Sequence, residues 1–274
     1  MPEGPEIALI TRSLKSLEKS TLVKAKLDSG KISRTRKSAF EDLNNECPVK
    51  IKKVSCKGKY IWFELANKGK INFLGFRLGL VGKLQISSSL EYVNRNATFY
   101  FVGLTGSLIQ KRSKKYLIFA DYRNFGDICP TSYEVHQMYI NKIGSDLRTI
   151  KFDGFQKAMD VRKGQNMPIA HVLLMQDLVS GIGNYMRAEA LYMAKISPYR
   201  KKSELTSAEW KRLFTALKKV YKWAISEQIT EVNYNKTNFK VYGKRKDPHG
   251  NIVTREEIKG RSMYWVKAII KKTK

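Results

Sequence analysis

Ser180-Gly181-Ile182-Gly183-Asn184 joins two stretches with helical spacing, 167–177 and 184–195. Two glycines in three residues let another group approach the backbone closely, and Asn184 stands where a helix N-cap belongs. The N–H groups of the second helix would then point at an anion such as phosphate. A tight helix–helix turn needs the same glycines, so the motif by itself specifies a helical hairpin and no ligand.

Outward from this hairpin the chain stays helical, with further spacing of that kind at 133–143, 154–161 and 207–226. The last begins with the capping box Thr206-Ser207-Ala208-Glu209 and carries Trp210, Leu213, Phe214, Leu217, Val220 and Tyr221 on one face. Beyond it, 239–245 and 260–265 read as two β segments joined by a turn around Asp247-Pro248-His249-Gly250-Asn251, with Arg261 near a basic hairpin tip suited to phosphate. On the other side, Ile7, Ile10, Leu14 and Leu17 predict a helix from 5 to about 19. Short β-rich runs then follow at 22–27, 60–65, 71–76, 98–102, 108–111 and 116–120. The expected architecture is α+β: an N-terminal helix and antiparallel β-sandwich over 1–130, then a helical domain over 131–274.

Fifty-two Lys and Arg oppose 24 Asp and Glu, a formal net charge of +28, on a chain that is 42% hydrophobic. A chain that can bury a core and still present such a field fits a phosphate-backbone binder. No run of 18 apolar residues and no basic-then-apolar leader occurs, so neither a membrane span nor secretion is expected. Cys47, Cys56 and Cys129, odd in number and far apart, point to a reducing, intracellular setting.

The N-terminus, Met1-Pro2-Glu3-Gly4-Pro5-Glu6, carries chemistry. Removal of Met1 would leave a secondary amine, neutral in useful fraction near neutral pH because α-amino groups titrate at roughly 8. Attack on a sugar C1′ would give an iminium directly. Glu3 could serve as general acid or base, and Glu6 could manage a second proton. The plain alternative is a polar lead into a helix, with Pro5 in its first turn and the carboxylates favoured by the dipole.

These residues, with Gly58-Lys59-Tyr60, Arg77-Leu78-Gly79-Leu80-Val81-Gly82, Asp121-Tyr122-Arg123-Asn124-Phe125-Gly126, Leu178–Asn184, Glu189-Ala190-Leu191, Val241-Tyr242-Gly243 and Gly260-Arg261, resemble the formamidopyrimidine-DNA glycosylase/endonuclease VIII family in order and over nearly the whole chain. The resemblance implies a β-sandwich domain and a helix–two-turn–helix domain with a hairpin finger, holding damaged DNA. It implies a bifunctional base-excision glycosylase and AP lyase acting by β,δ-elimination, without cofactor. Pro2 would be the nucleophile, Glu3 the general acid, and Glu6 and Glu189 supporting carboxylates. Lys59, Gly183, Asn184, Arg261 and the cation Arg77 would hold DNA, and Leu80, Arg123 and Phe125 would fill the hole left by the extruded nucleotide.

Residues 242–274 contain no cysteine where the family's zinc finger has four, and a lone His249 cannot make a tetrahedral site. The resemblance is therefore to the subgroup with a zincless finger (about 237–268), known from vertebrate endonuclease VIII-like 1 and from plant and giant-virus relatives. The finger would be held by Val241, Ile252, Val253, Tyr264 and Trp265. With Gly4 in the first motif, that subgroup implies oxidised pyrimidines and hydantoins as substrates, in duplex and in single-stranded or bubble DNA, for a monomer. Localisation would be nuclear in a eukaryote, or otherwise the site of viral DNA replication. An oxidised-purine glycosylase and a non-catalytic nucleic-acid binder are the alternatives.

Overall fold

The computed structural model describes residues 2–66, 69–90, 95–102, 114–228 and 238–269. The expected strand at 108–111 lies outside them, as does Met1. The chain forms two compact units, Met1–Pro2 with Ile7–Lys142, and Glu3–Glu6 with Ile143–Lys274.

In the first unit α1 (Gly4–Leu14) runs on into a 3-10 turn that buries Leu17. Then come β1 (Thr21–Leu27), α2 (Gly30–Thr35), α3 (Lys37–Glu46), β2 (Val49–Lys57), β3 (Tyr60–Ala66), β4 (Phe73–Arg77), β5 (Lys83–Ser87), β6 (Ala97–Val102), β7 (Lys114–Ala120), β8 (Asp127–Thr131) and α4 (Tyr133–Lys142). The eight strands pair antiparallel in the order β5-β7-β6-β1-β2-β3-β4-β8. Four strand steps separate β4 from β6, about 19 Å in a flat sheet. The rings of Phe76 and Phe99 are nevertheless 5.5 Å apart, so the sheet folds over on itself and encloses Phe63, Phe76, Phe99 and Phe119 as a two-layered core.

Three departures from expectation have physical causes. The helices α2 and α3 hide in a polar stretch whose large apolar residues are only Ile32, Phe40 and Leu43, all buried. Pro130, expected to end the sheet, lies within β8, an edge strand where a missing N–H costs no ladder bond. The division between units then falls after Lys142 rather than near 131, because α4 packs on the sheet: His136 stacks on Phe73 at 3.8 Å and its Nδ1 lies 3.5 Å from the Tyr60 hydroxyl.

The second unit contains β9 (Ser145–Asp146), α5 (Phe152–Met159), α6 (Ile169–Val172), β10 (Val179–Ser180), α7 (Asn184–Ala194), α8 (Ser207–Ser226) and the hairpin β11 (Thr254–Ile258) with β12 (Arg261–Trp265). The helix expected over 167–177 is only the single turn α6. The capping box is as expected, Glu209 N–H donating to Thr206 Oγ1 and Thr206 N–H to Glu209 Oε2. The hairpin is not the expected one: 239–245 forms no strand, and the true turn is Lys259-Gly260, both at positive φ. Asp247 organises the preceding loop, its carboxylate accepting from the N–H groups of His249 and Asn251 and from the Tyr192 hydroxyl. Val241 and Val253 are buried as expected, whereas Ile252 is 74% exposed.

Burial holds the His136 imidazole below its ordinary value of 6.5, against the opposing charge of Glu64. The unfolded chain therefore takes up a proton near that pH which the folded chain refuses, and stability is lost as pH falls. In thermal denaturation between about pH 7 and 5, wild type should lose Tm relative to His136→Phe, which keeps the stack; parallel curves would contradict this.

Candidate active site

In the second unit the N-terminal residues meet the Gly181–Asn184 turn. Gly4 N–H donates to the Gly181 carbonyl at 2.8 Å, and the Tyr221 hydroxyl donates to the Gly4 carbonyl at 3.3 Å. The Glu3 carboxylate then lies across the N-terminus of α7: Tyr185 N–H donates to Oε1 at 2.9 Å and Met186 N–H to Oε2 at 3.2 Å. Glu3 is 2% exposed. Charged hydrogen bonds of this kind, aligned with the helix dipole, are among the stronger ones available.

This corrects two expectations about the hairpin. Gly183, not Asn184, is the N-cap of α7, and it makes no side-chain cap. The N–H groups expected to face phosphate face Glu3 instead. A Cβ on Gly183 would lie 2.2 Å from the Glu3 carboxyl carbon, so this glycine admits the carboxylate. Asn184 is half-buried with Oδ1 shielded and unpartnered, leaving its amide nitrogen as the donor for a ligand. Gln176 props the turn, accepting from Gly181 N–H and donating to the Ile182 carbonyl.

Glu6, expected to manage a second proton, is tied into the fold: its Oε2 accepts from Glu3 N–H at 2.8 Å, half of a capping box for α1. Two carboxylates thus fix the backbone directly after Pro2, which is itself buried. Glu189, expected as a supporting carboxylate, is turned inward. It is 3% exposed and accepts from the N–H groups of Lys240, Val241 and Tyr242 at 3.0, 2.9 and 2.8 Å, latching that segment to α7. Burial pushes its carboxyl above the usual range, against the pull of those three donors.

Sequence reasoning missed Arg187. It is fully buried, donating to the carbonyls of Ala170 at 2.7 Å and of Arg261 and Ser262 at 3.3 and 2.9 Å, and burial pushes it down to about 10. It ties the hairpin to α7 and leaves the Arg261 side chain exposed beside the Lys259-Gly260 turn. An arginine amid the apolar face of a predicted helix was the available signal.

The remaining candidates belong to the first unit. Lys59 is half-buried at the two-residue turn between β2 and β3, where Gly58 has φ +58°. Arg77, expected to hold DNA, is also engaged within the fold: it reaches Asp127 at 2.5 Å and lies over the Tyr139 ring. Arg36 grips the same carboxylate from the other side at 2.6 and 2.9 Å. Burial would raise Asp127, but the two guanidinium groups hold it below the usual carboxylate range.

The loops carrying Leu80 and Phe125 pack backbone against backbone: a Cβ on Gly79, at φ +62°, would lie 2.6 Å from the Phe125 carbonyl carbon. Phe125 is 57% exposed with the Arg123 guanidinium 5.2 Å from its ring centroid. Asp121, 1% exposed, shapes this loop by accepting from Arg123 and Gly126 N–H. Among the described residues no group of three His, Cys, Asp or Glu side chains is placed to hold a metal, and no helix is long and apolar enough to cross a membrane.

Residues 1–128 match the family model described as the formamidopyrimidine-DNA glycosylase N-terminal domain, and residues 144–235 match its helix–two-turn–helix domain. The formamidopyrimidine-DNA glycosylase of Syntrophomonas wolfei is 28% identical over 95% of this chain and 89% of its own length. In fold the chain is similar to the Lactococcus lactis enzyme in complex with abasic-site DNA, with a TM-score of 0.80 and 23% identity over 98% of this chain and all of that one. It is equally similar to MutM in complex with DNA containing carbocyclic 8-oxoguanine, with a TM-score of 0.80 and 24% identity over 99% of this chain and all of that one.

Removing the Glu189 carboxylate strands the buried Val241 N–H and two part-buried ones, so Glu189→Ala should cost roughly 2–3 kcal/mol. Hydrogen exchange should accelerate first at 240–242; unchanged protection there would refute the latch.

Proposed function

The chain belongs to the formamidopyrimidine-DNA glycosylase/endonuclease VIII superfamily, and from that premise we propose that it excises oxidised and ring-opened purines from DNA and cleaves the resulting abasic site through the amine of Pro2. It is a base-excision DNA glycosylase and AP lyase whose partner is damaged DNA. The observation that carries the catalytic reading is the fixing of Glu3, and so of the backbone directly after Pro2, by α7 and Glu6.

With Met1 removed, the Pro2 nitrogen attacks C1′ while the C1′–base bond breaks and its electron pair leaves with the base. Glu3 takes up the proton that the Pro2 nitrogen sheds and delivers it to the sugar ring oxygen, and ring opening leaves an iminium. Loss of a C2′ proton then expels the 3′ phosphate, and a second elimination expels the 5′ phosphate. Hydrolysis of the imine frees the amine. Lys59, Asn184 and Arg261 hold phosphates around the extruded nucleotide. Leu80, Arg123 and Phe125 enter the gap, a role that suits loops already held in contact with one another. Extrusion costs a few kcal/mol, least for a damaged or mispaired base.

The purine preference follows the names of the relatives. Oxidised pyrimidines and hydantoins form the second reading. Of the two features behind it, Gly4 now has a packing reason: a Cβ there would lie 3.1 Å from both the Gly181 oxygen and the Tyr221 ring. The finger remains, its loop organised by Asp247 rather than by cysteines, and we assign it to hold without zinc.

Borohydride should trap a covalent adduct on the Pro2 peptide of protein whose N-terminus has been verified by mass. An N-terminal extension should abolish that adduct, and Glu3→Gln should lower base excision at least 100-fold and also lower Tm, because the amide accepts from only one of the two α7 N–H groups. Salt-dependent DNA binding without adduct or cleavage would make the protein a non-catalytic binder. A panel of 8-oxoguanine, formamidopyrimidine, thymine glycol and hydantoin duplexes ranks the substrates, and faster excision of thymine glycol than of both purine lesions would make oxidised pyrimidines the preferred class.

A further inference from the structure

Within the second unit, a groove of about 350 Å³ lies between the C-terminal end of α7 and the outer face of α8. Met193 comes from α7, and the rest of the wall comes from α8, at Ala208, Lys211, Arg212, Thr215, Ala216 and Lys219. These positions recur every three or four residues, so they form one stripe along α8, about 16 Å long from end to end. Arg212 joins the two helices, its Nε donating to the carbonyl of Ala194, the last residue of α7, at 3.5 Å. The groove stands away from the excision chemistry. Tyr185, whose N–H holds the Glu3 carboxylate, and Met193 are separated by about 12 Å along the axis of α7.

Its rim is cationic. Lys211, Arg212 and Lys219 are exposed, and no acidic side chain lines the groove. Glu209 comes within 3.9 Å of Arg212, but its carboxylate is already held by the Arg200 guanidinium at 3.0 and 3.2 Å, and Arg200 offsets its charge. Over the whole of α8, Lys211, Arg212, Lys218, Lys219 and Lys222 stand against the single acid Glu209. The floor is apolar instead. Met193 and Ala216 pack onto the core of the unit, and Ala208 is exposed beside them. A methionine in such a floor can reshape itself around an apolar partner.

We propose that this groove takes an acidic amphipathic helix of a partner protein, its carboxylates at Lys211, Arg212 and Lys219 and its apolar side chains on the floor. The stripe is as long as about three helical turns, and a helix laid along a groove is a recurring mode of peptide recognition. The cations would steer the encounter and fix the register, while the floor would supply apolar burial. A nucleic acid would find cations here but no aromatic ring on which a base could stack, and its backbone gains nothing from an apolar floor. A second copy of this chain is repelled by its own net charge of +28. The inference does not rest on the glycosylase reading, because no residue of the groove is assigned to the reaction.

The probe is a fluorescein-labelled helical peptide with leucines along one face and glutamates flanking them, titrated with the full chain and followed by anisotropy. A chain this basic attracts any acidic peptide, so each titration is repeated with saturating tetrahydrofuran duplex, which occupies the DNA-binding surface. Wild-type affinity should be the same with and without duplex. The double variant Lys211→Glu/Lys219→Glu should weaken peptide binding about tenfold or more, as should Thr215→Trp, which fills the middle of the groove. All three positions are exposed, so Tm should stay within about 2 °C of wild type. A peptide with serine in place of leucine should also bind about tenfold more weakly. Failure of the leucine peptide to bind, its displacement by duplex, or equal affinity for the variants or for the serine peptide would each overturn the proposal. Duplex affinity and abasic-site cleavage by the variants should equal those of wild type. A loss of either would make the groove a nucleic-acid surface and equally overturn the proposal.

Discussion

The carboxylate of Glu3 at the start of α7 is the constraint on which the site depends. A helix N-terminus in the interior leaves N–H groups that need acceptors, and here the acceptor comes from a residue more than 180 positions earlier in the chain. That choice dictates its surroundings. Gly183 must lack a side chain so that the carboxylate can reach the helix, Gly4 must lack one to pass Gly181 and Tyr221, and Glu6 must turn back to hold the Glu3 N–H. The four residues Glu3–Glu6 consequently pack with the helical unit, while the body of the helix they begin packs with the sheet. The nucleophile proposed at Pro2 inherits this fixation through a single peptide bond, which is how a chain terminus, ordinarily the least ordered part of a protein, can be positioned for chemistry.

The same economy recurs further along α7. Glu189 and Arg187 lie on one helix, both buried, and each is held by backbone: Glu189 accepts from three N–H groups, and Arg187 donates to three carbonyls while its Nε has no partner. Pairing a buried side-chain charge with main-chain dipoles fixes the path of the chain rather than the orientation of another side chain. Here it fixes 240–242 and the first residues of β12. Arg261 is thereby presented outward from a hairpin too small to have a core of its own. Asp247 does comparable work in the loop before that hairpin, gathering two N–H groups and a tyrosine hydroxyl around one carboxylate.

Much of this was legible in the sequence, for reasons that can be named. The helix 207–226 was readable to the residue because a capping box and an amphipathic face agree, and the strands at 60–65, 98–102 and 116–120 because they are β-branched or aromatic and bounded by turns. The signals failed where apolar residues are sparse, as in α2 and α3, where lysine dilutes the pattern, as in β2, and where a rule has an exception set by tertiary position, as for Pro130 on an edge strand. For three of the motif residues the structure shows work that the motif does not suggest: Gly183 and Glu6 serve the placement of Glu3, and Glu189 that of the finger. Local sequence cannot reveal that an acceptor for a helix N-terminus will arrive from the other end of the chain.

The division of labour between the two units follows from what each kind of structure can hold. A helix terminus concentrates N–H donors and can orient a carboxylate, so the acid belongs with α7. A curled sheet offers rigid edges from which short loops project, and the loops bearing Leu80 and Phe125 are stiffened by Gly79 and by Asp121 rather than by any core. A wedge that must enter a base stack cannot be soft, because every rotamer left free in the unbound protein would subtract from the binding that compensates unstacking. The stacking of Arg123 on Phe125 in the free protein meets that requirement.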